Sequence, residues 1–221
     1  MFAMMQLTDS AVPTGAFSHS LGFETYMHRE ILVDEASFSA WLEMFIKEQL
    51  CYTDALAIRL AYSCASGEEL ADLDELLTAA TLPQQVREGT ATMGRRLLAL
   101  ASMSYPSAGI QDYSERVATG QASSHPALVW GMLARELKIA EDEAVASHLY
   151  ATVISLTQNA VRAIPLGQNT GQRIIRAAQG WVKHATSVSA QLSPDDLGAI
   201  APGLEIAQMN HERQRARMFM S

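Results

Sequence analysis

The sequence predicts an all-α protein, and three observations support this fold class. Apolar side chains recur three and four residues apart through most of the 221 residues, which is the spacing that lets a helix bury one face. Extended alternation of β-branched and polar residues is missing, and the chain has no Asn-Gly or Asp-Gly dipeptide typical of tight hairpins. No Gly-rich, Ser-rich or charged run resembles a linker, so a single domain over residues 1–221 is expected.

About nine or ten helices account for the apolar stripes, arranged as a bundle. One clear stripe consists of Phe38, Trp41, Leu42, Phe45 and Ile46, which fall on one helical face. In chain order, the helices are expected near residues 3–11, 20–29, 36–51, 54–65, 68–80, 84–103, 126–138, 141–162, 171–188 and 203–217.

Capping residues mark several helix ends. The segments "SGEE" at residue 66, "LPQQ" at 82 and "HPAL" at 125 each indicate a junction. In "SPDD", Ser193 can cap a helix whose first turn carries a proline and two acids. Residues 104–124 contain Pro, Gly and several Ser and Thr, so they are expected to hold only a short helix.

Composition and charge exclude several function classes. A net charge of −8 and a pI near 5.2 argue against binding to nucleic acid or to anionic membranes, because both need a positive field. The chain has no long apolar run and no basic stretch near Met1, so neither membrane spanning nor export is predicted, and a cytoplasmic location is expected. Cys51 and Cys64 are expected to be packing residues in a reducing compartment.

Motifs for nucleotide, nucleophilic or metal chemistry are also missing. The sequence has no glycine-rich phosphate-binding loop, so it should not hydrolyse a nucleotide alone. The segment "GAFSH" lacks the spacing of a nucleophile elbow. The six histidines are scattered, with no pair that places two rings on one helical face. No resident metal or cofactor is therefore predicted, although a site could assemble from distant positions.

The segment "PTGAFSHSLGFE", residues 13–24, is the most unusual in the chain. Its proline and glycines fix a loop, and Ser20 can cap a helix that begins at Leu21 and carries Glu24 in its first turn. Two interpretations stay open. The segment is either a tight turn plugged by Phe17, or part of a surface that presents His19 and Glu24 to a partner.

Two further segments have partner-binding features. In "PLGQNTGQ", a proline and two glycines end one helix and open the next, while Gln168 and Gln172 offer uncharged hydrogen-bonding groups. Arg162 lies in the last turn of the preceding helix, as a helix cap or as a partner contact. The tail "HERQRARMFMS" ends in exposed apolar residues, and Phe219 is expected to dock onto a neighbouring chain.

These segments resemble the UreF family of urease accessory proteins. The N-terminal segment matches the family pattern P-x-G-[AG]-[FY]-[ST]-x-S-x-G-x-E. "HPALVWG", "AVRAIPLGQNTGQRII" and "IAQMNHERQRARMFMS" resemble three further family segments in the same order. The resemblance therefore spans the whole chain. Met218 and Met220 depart from the usual Leu and Arg of the closing segment, which puts a contact through position 220 in doubt.

The resemblance implies an all-α protein that commonly dimerises and is not an enzyme. UreF-like proteins bind the accessory protein UreD, also called UreH, and recruit the GTPase UreG, and the assembly delivers nickel to apo-urease. No cofactor of the chain itself is implied, because nickel is handled by the complex. Together with the patterns above, the resemblance indicates these partner-binding residues: Phe17, His19, Ser20, Glu24, Arg162, Gln168, Gln172, His211, Glu212, Arg217 and Phe219.

Three other functions remain as alternatives. The chain could regulate hydrolysis by the partner GTPase, with a residue such as Arg162 reaching the nucleotide. It could be a helical enzyme that uses Glu24 and His211 as acid and base. It could also bind nickel directly, in which case His19 is the residue to replace first.

Overall fold

The computed structural model describes residues 1–198 and 201–221, and within these ranges every regular element is helical. The all-α prediction is confirmed. A π-helical segment, Phe45–Ala55, and two short 3₁₀ turns, Ala16–Ser18 and Pro194–Asp196, accompany the α-helices. The α-helices are α1 Phe2–Leu7, α2 Phe23–His28, α3 Glu35–Met44, α4 Leu56–Ser63, α5 Gly67–Ala80, α6 Gln84–Ser104, α7 Ala108–Ala118, α8 Pro126–Glu136, α9 Glu141–Ala163, α10 Gln168–Ser189 and α11 Pro202–His211.

The π-helical segment makes one continuous helical rod of α3 and α4. The expected break between residues 51 and 54 is therefore wrong. The segment "LCYTDA" contains neither Gly nor Pro, so nothing in it ends a helix. The chain instead passes from α-helical to π-helical hydrogen bonding and back without a loop.

The core lies between the π-helical segment and the long helices. Helix α10 folds back against α9, and both pack on the π-helical segment, while α8 packs on α4 and α6. Aromatic rings fill one end of this core. Trp41 stacks on Phe45 with ring centroids 5.1 Å apart, and the fully buried Phe23 meets Trp41 edge to face at 5.7 Å. These rings support α2 and the loop that precedes it.

Most of the predicted junctions are confirmed. The Ser66 hydroxyl accepts the Glu69 N–H at 3.2 Å, α6 begins after Pro83, and α8 begins at Pro126 with His125 as its N-cap. Residues 104–124 contain the short helix α7, as expected. Ser193 does pair with Asp196, but the element that it opens is only a 3₁₀ turn.

Two predicted helix boundaries are wrong near the chain's N-terminal loop and tail. The helix expected from residue 20 begins at Phe23, because Leu21 and Gly22 have φ angles of 51° and 108°, in the left-handed region. The helix expected over 203–217 ends at His211. The Arg213 and Gln214 N–H groups donate only three residues back, which ends the helix, and the N–H groups of residues 218–220 donate to the N-terminal loop and α2, as described next.

Candidate functional site: the latch between the N-terminal loop and the tail

Residues 13–24 and 211–221 close on each other through backbone hydrogen bonds, and we call this arrangement the latch. The carbonyl oxygen of Ser221 accepts the N–H groups of Ser20 and Leu21 at 2.5 and 3.1 Å, and the Ser20 hydroxyl at 2.8 Å. The Met220 N–H donates to the Ser18 carbonyl at 2.8 Å. Two segments about 200 residues apart in sequence are thereby joined without any regular secondary structure.

Ser20 has a different role from the one predicted. It does not cap α2, whose N-cap is Gly22. The left-handed conformation of Leu21 and Gly22 turns the chain so that the Ser20 N–H and hydroxyl both point to Ser221. Ser20 is buried. Its N–H and hydroxyl donate to the tail, while its hydroxyl oxygen and carbonyl accept the Gly22 and Phe23 N–H groups at 3.3 Å each.

Glu24 is the main polar anchor of the tail. Its Oε1 accepts the Met218 N–H at 2.5 Å, and its Oε2 accepts the Phe219 N–H at 3.2 Å. The same Oε2 lies 2.8 Å from Nε2 of His211, and both side chains are only 1 % exposed. Burial alone would raise the pKa of Glu24, but the hydrogen bonds from His211 and from the Met218 N–H outweigh it and lower that pKa. The carboxylate therefore stays ionised at neutral pH.

His211 extends this anchor to a third helix. Its Nδ1 lies 2.9 Å from Oε1 of Gln85, near the start of α6. The imidazole thus joins α11, α2 and α6 through one ring. Next to it, Glu212 accepts the Gln85 N–H with a longer contact of 3.4 Å at the surface.

Phe219 fills the apolar part of the latch. Its ring packs edge to face on Phe23 with centroids 5.3 Å apart, and the residue is 7 % exposed. The guanidinium of Arg162 lies 5.9 Å from the ring centroid, within cation–π range. Phe219 therefore docks within its own chain.

Helix α9 supplies the polar groups beneath the loop. Arg162 donates to the Phe17 carbonyl at 2.7 Å and to Oδ1 of Asn159 at 2.5 Å, and Asn159 donates to the His19 carbonyl at 2.8 Å. Both Arg162 contacts are made by Nη2, and the side chain is otherwise exposed. If Arg162 moved out toward a partner's nucleotide, its contact with the loop would be lost.

His19 is buried and contacts the last residue of the tail. Its Nδ1 lies 2.7 Å from the Ser221 hydroxyl. Burial, and secondarily the nearby Arg96 guanidinium, lowers the pKa of His19 below its ordinary value. The ring is therefore held in its neutral form.

The structure brings seven of the eleven predicted residues together but places most of them inside. The prediction that the loop presents His19 and Glu24 on a surface is wrong, because both side chains are covered by the tail. The expectation that the tail leaves its Phe exposed is also wrong, since the aromatic ring of Phe23 offers an intramolecular partner. The buried members of the predicted set are His19, Ser20, Glu24, His211 and Phe219.

The other six predicted residues are exposed and lie in three places. Phe17, 51 % exposed, and Arg162, which contacts its carbonyl, lie at the loop, and Glu212 and Arg217 are exposed in the tail. Gln168 and Gln172 are exposed in the first turns of α10. A contact of any of these eleven residues with another chain stays a prediction.

Several residues of the latch were not expected from the sequence. The Gln208 amide donates to the Leu21 carbonyl, and the Thr25 hydroxyl donates to the Ala207 carbonyl, each at 2.8 Å. Asn159 carried a usable signal, because it is an amide within the apolar stripe of α9. Ser221 carried none, since its contribution is a backbone carbonyl and a small hydroxyl.

Within the described residues, no group of three or more His, Cys, Asp or Glu side chains is placed to hold a metal ion. None of the helices in that part of the chain is both long and apolar enough to cross a membrane.

Comparison with known proteins gives one consistent family. The UreF family model matches residues 32–179. The urease accessory protein UreF of Kocuria rhizophila is 62 % identical over 226 residues, which cover 100 % of this chain and 97 % of that protein. Proteins of the same name from Corynebacterium efficiens and Bacillus sp. are 55 % and 41 % identical, covering 99 % and 100 % of this chain and 96 % and 99 % of theirs.

Proposed function

Because this chain belongs to the UreF family of urease accessory proteins, we propose that it acts as a non-enzymatic scaffold during urease maturation. In this role it binds a UreD-type (UreH-type) accessory protein and recruits a UreG-type GTPase in the cytoplasm, so that nickel is inserted into apo-urease. The observation that carries the proposal is full-length similarity to urease accessory proteins. The missing phosphate-binding loop supports it, since the nucleotide then belongs to a partner.

The outer side of the latch is the surface that we assign to the partner. Phe17, Met218 and Met220 are 51 %, 62 % and 67 % exposed. Phe219, which lies between the two methionines, is buried. Their backbones are held by the latch, so these apolar side chains lie on a fixed surface rather than on a frayed end. Arg217 adds a positive charge beside them. Rigid apolar residues next to an arginine are typical of binding hot spots.

A second copy of the chain is a further proposed partner, because the UreF resemblance implies a homodimer. Light scattering coupled to gel filtration of the full chain tests this directly. A mass near twice 24.1 kDa is expected, and a mass of one chain at all concentrations would contradict it.

Copurification tests the scaffold proposal itself. The chain is coexpressed with a tagged UreD-type protein and a UreG-type GTPase, and all three are expected in the eluate. If the wild-type chain binds neither partner, the scaffold proposal fails.

A double variant tests the assigned surface. Phe17→Ala with Met220→Ala truncates two side chains that are more than half exposed and lie outside the core, so helical circular dichroism should not change. Affinity for the UreD-type protein should fall at least about tenfold, equivalent to 1.4 kcal/mol. Leu76→Ala is the matched control, because Leu76 is 54 % exposed on α5. Equal affinities of the double variant and the control would exclude this surface.

A further inference from the structure

A cavity of about 250 Å³ lies beside the latch. It is lined by the loop that follows α1, the π-helical segment, α6 and α9. Most of the lining is apolar, including Leu50, Leu77, Met93, Leu97 and Leu156. Since a cavity of about 150 Å³ holds one benzene molecule, a volume of this size suits a molecule of about ten non-hydrogen atoms. A mostly apolar cavity with a few polar groups is the usual form of a small-molecule site.

The polar groups of the cavity include Asp54 and Gln49 of the π-helical segment. Asp54 Oδ1 lies 2.9 Å from Nε2 of His148, and Oδ2 lies 3.1 Å from the Thr53 hydroxyl. That hydroxyl has one proton and a shorter contact, at 2.9 Å, with the Gln49 carbonyl. Oε1 of Gln49 is buried and has no hydrogen-bond partner. Two oxygens, Asp54 Oδ2 and Gln49 Oε1, are therefore available to accept from a ligand.

The π-helical geometry explains how both oxygens reach the same cavity. In an α-helix, residues five apart point about 140° away from each other, since each residue turns by about 100°. Hydrogen bonding to the fifth residue instead brings Gln49 and Asp54 close to one face, and both line the cavity. A π-helical turn is uncommon and is often found at functional sites. This distortion positions two acceptors that a regular helix would separate.

The neighbouring histidines do not turn this group into a metal site. The backbone N–H of His125 donates to Oδ1 of Asp74 at 3.0 Å. Nδ1 of the His125 ring accepts the backbone N–H of Ala127 at 3.3 Å. The neutral His125 ring therefore carries its proton on Nε2, which leaves no lone pair for a metal. Burial lowers the pKa of His125, which favours this neutral form. Among the described residues, no three His, Cys, Asp or Glu side chains lie close enough to hold a metal ion here.

Charge selects the class of ligand. Burial would raise the pKa of Asp54, but the His148 hydrogen bond, the positive charge that His125 and His148 carry when protonated, and the Thr53 hydroxyl together lower that pKa. The carboxylate is thus ionised beside an apolar cavity, where a charge is costly unless enough donors satisfy it. An anion would be repelled, and a hydrocarbon would leave both oxygens without donors.

We propose that this cavity binds a small organic cation, a primary ammonium group attached to an apolar body of about ten non-hydrogen atoms. The ammonium donates to Asp54 Oδ2 and Gln49 Oε1, and the apolar body contacts the leucines and Met93. The proposal concerns a small-molecule site and does not depend on the protein partners.

Calorimetry of the full chain with 3-phenylpropylamine tests the proposal, with 3-phenylpropanol as a neutral probe of the same size. The amine is expected to bind with a Kd near or below about 1 mM, which corresponds to about 0.4 kcal/mol per non-hydrogen atom. It should bind at least about tenfold more tightly than the alcohol, because only the amine carries a charge for Asp54. Equal affinities, or the absence of saturable binding by the amine, would overturn the proposal.

Variants locate the site. Asp54→Asn should weaken the amine at least about tenfold and leave the alcohol unchanged, whereas Asp112→Asn on the exposed face of α7 serves as control and should change neither. If Asp54→Asn does not fold, Ala151→Leu fills the cavity from α9 and should abolish binding of both probes. Unchanged binding to Asp54→Asn, or to a folded Ala151→Leu, contradicts the assignment.

Discussion

The N-terminal loop of the latch, residues 13–24, and the turn between α9 and α10 with the start of α10, residues 165–172, have similar compositions but different structures. Both segments contain proline, two glycines and uncharged polar residues. In the latch, the polar groups are buried and bonded to a segment about 200 residues away. In the turn, Ile164–Gly167 merely connects two helices, and the side chains of Gln168 and Gln172 point outward without a hydrogen bond within the described part of the chain.

The difference shows that a segment with proline, glycines and polar residues forms a turn, but that its composition does not determine whether the turn is buried or exposed. The environment depends on whether another segment supplies matching groups. The tail provides N–H groups for Glu24 and an aromatic ring for Phe23. Within the described residues, no hydrogen bond joins residues 165–172 to a distant segment. We therefore expect substitutions to affect stability in the latch and to have little effect on it in the turn.

Glu24→Ala should have the largest effect. It leaves His211 and the Met218 and Phe219 N–H groups buried without their acceptor. We expect the free energy of unfolding to fall by about 4 kcal/mol, as for a buried pair that loses one member. Urea unfolding followed by circular dichroism measures this. A loss below about 1 kcal/mol would mean that the tail does not depend on this anchor.

Phe219→Ala should have the next largest effect. Removing its ring leaves a space beside Phe23, and a loss of about 3 kcal/mol is expected. Met218→Ala is the adjacent control, because Met218 is 62 % exposed, and its loss should stay within about 0.5 kcal/mol. Equal losses in the two variants would show that the tail is not docked as described.

Acidification should weaken the latch to a smaller degree through His19. Its folded-state pKa lies below the ordinary value of 6.5, so the unfolded chain binds the proton more readily. The contribution of neutral His19 to stability is therefore present above pH 6.5 and is lost as the pH falls below it. Urea midpoints at several pH values should fall less steeply with acidification in His19→Asn than in the wild type.

His184→Asn provides the control for this measurement, because the His184 side chain is exposed on α10 and lies outside the latch. The pH profile of His19→Asn should be shallower than that of this control. His125, also buried with a lowered pKa, contributes to all three profiles, so only their difference reports on His19.

The smallest effect is expected in the turn. Gln168→Ala with Gln172→Ala should change the free energy of unfolding by less than about 0.5 kcal/mol, because both side chains are exposed. The same variant should then be compared with the wild type for affinity to the UreG-type GTPase. A stability loss above about 1 kcal/mol would erase the contrast with the latch.

The helices were largely predictable because their signals are local. Apolar stripes and capping residues such as Ser66 and His125 gave the class and the order of the elements. The tail was not predictable, since "ERQRAR" has good helix formers, and the contacts that hold the residues after it are made with Ser18, Ser20 and Glu24, about 200 residues away in sequence. The π-helical segment was also not predictable from the sequence, because it contains no helix-breaking residue.

The sequence indicated which residues belong to the candidate site, but not whether their side chains are exposed. Seven residues selected from three separate segments meet in the latch. Whether Glu24 faces solvent depends on a tertiary contact with His211, which spacing along the chain cannot reveal. Asn159 was detectable only as a polar residue in an apolar stripe.

The sequence separation within the latch has a consequence for synthesis on the ribosome. Ser20 and Glu24 emerge about 200 residues before the tail residues that contact them. At roughly 5 to 20 residues per second, the loop waits about 10 to 40 s before Ser221 is added. During that interval α2 has no tail to cover it, so the face of Phe23 on which Phe219 later packs is open.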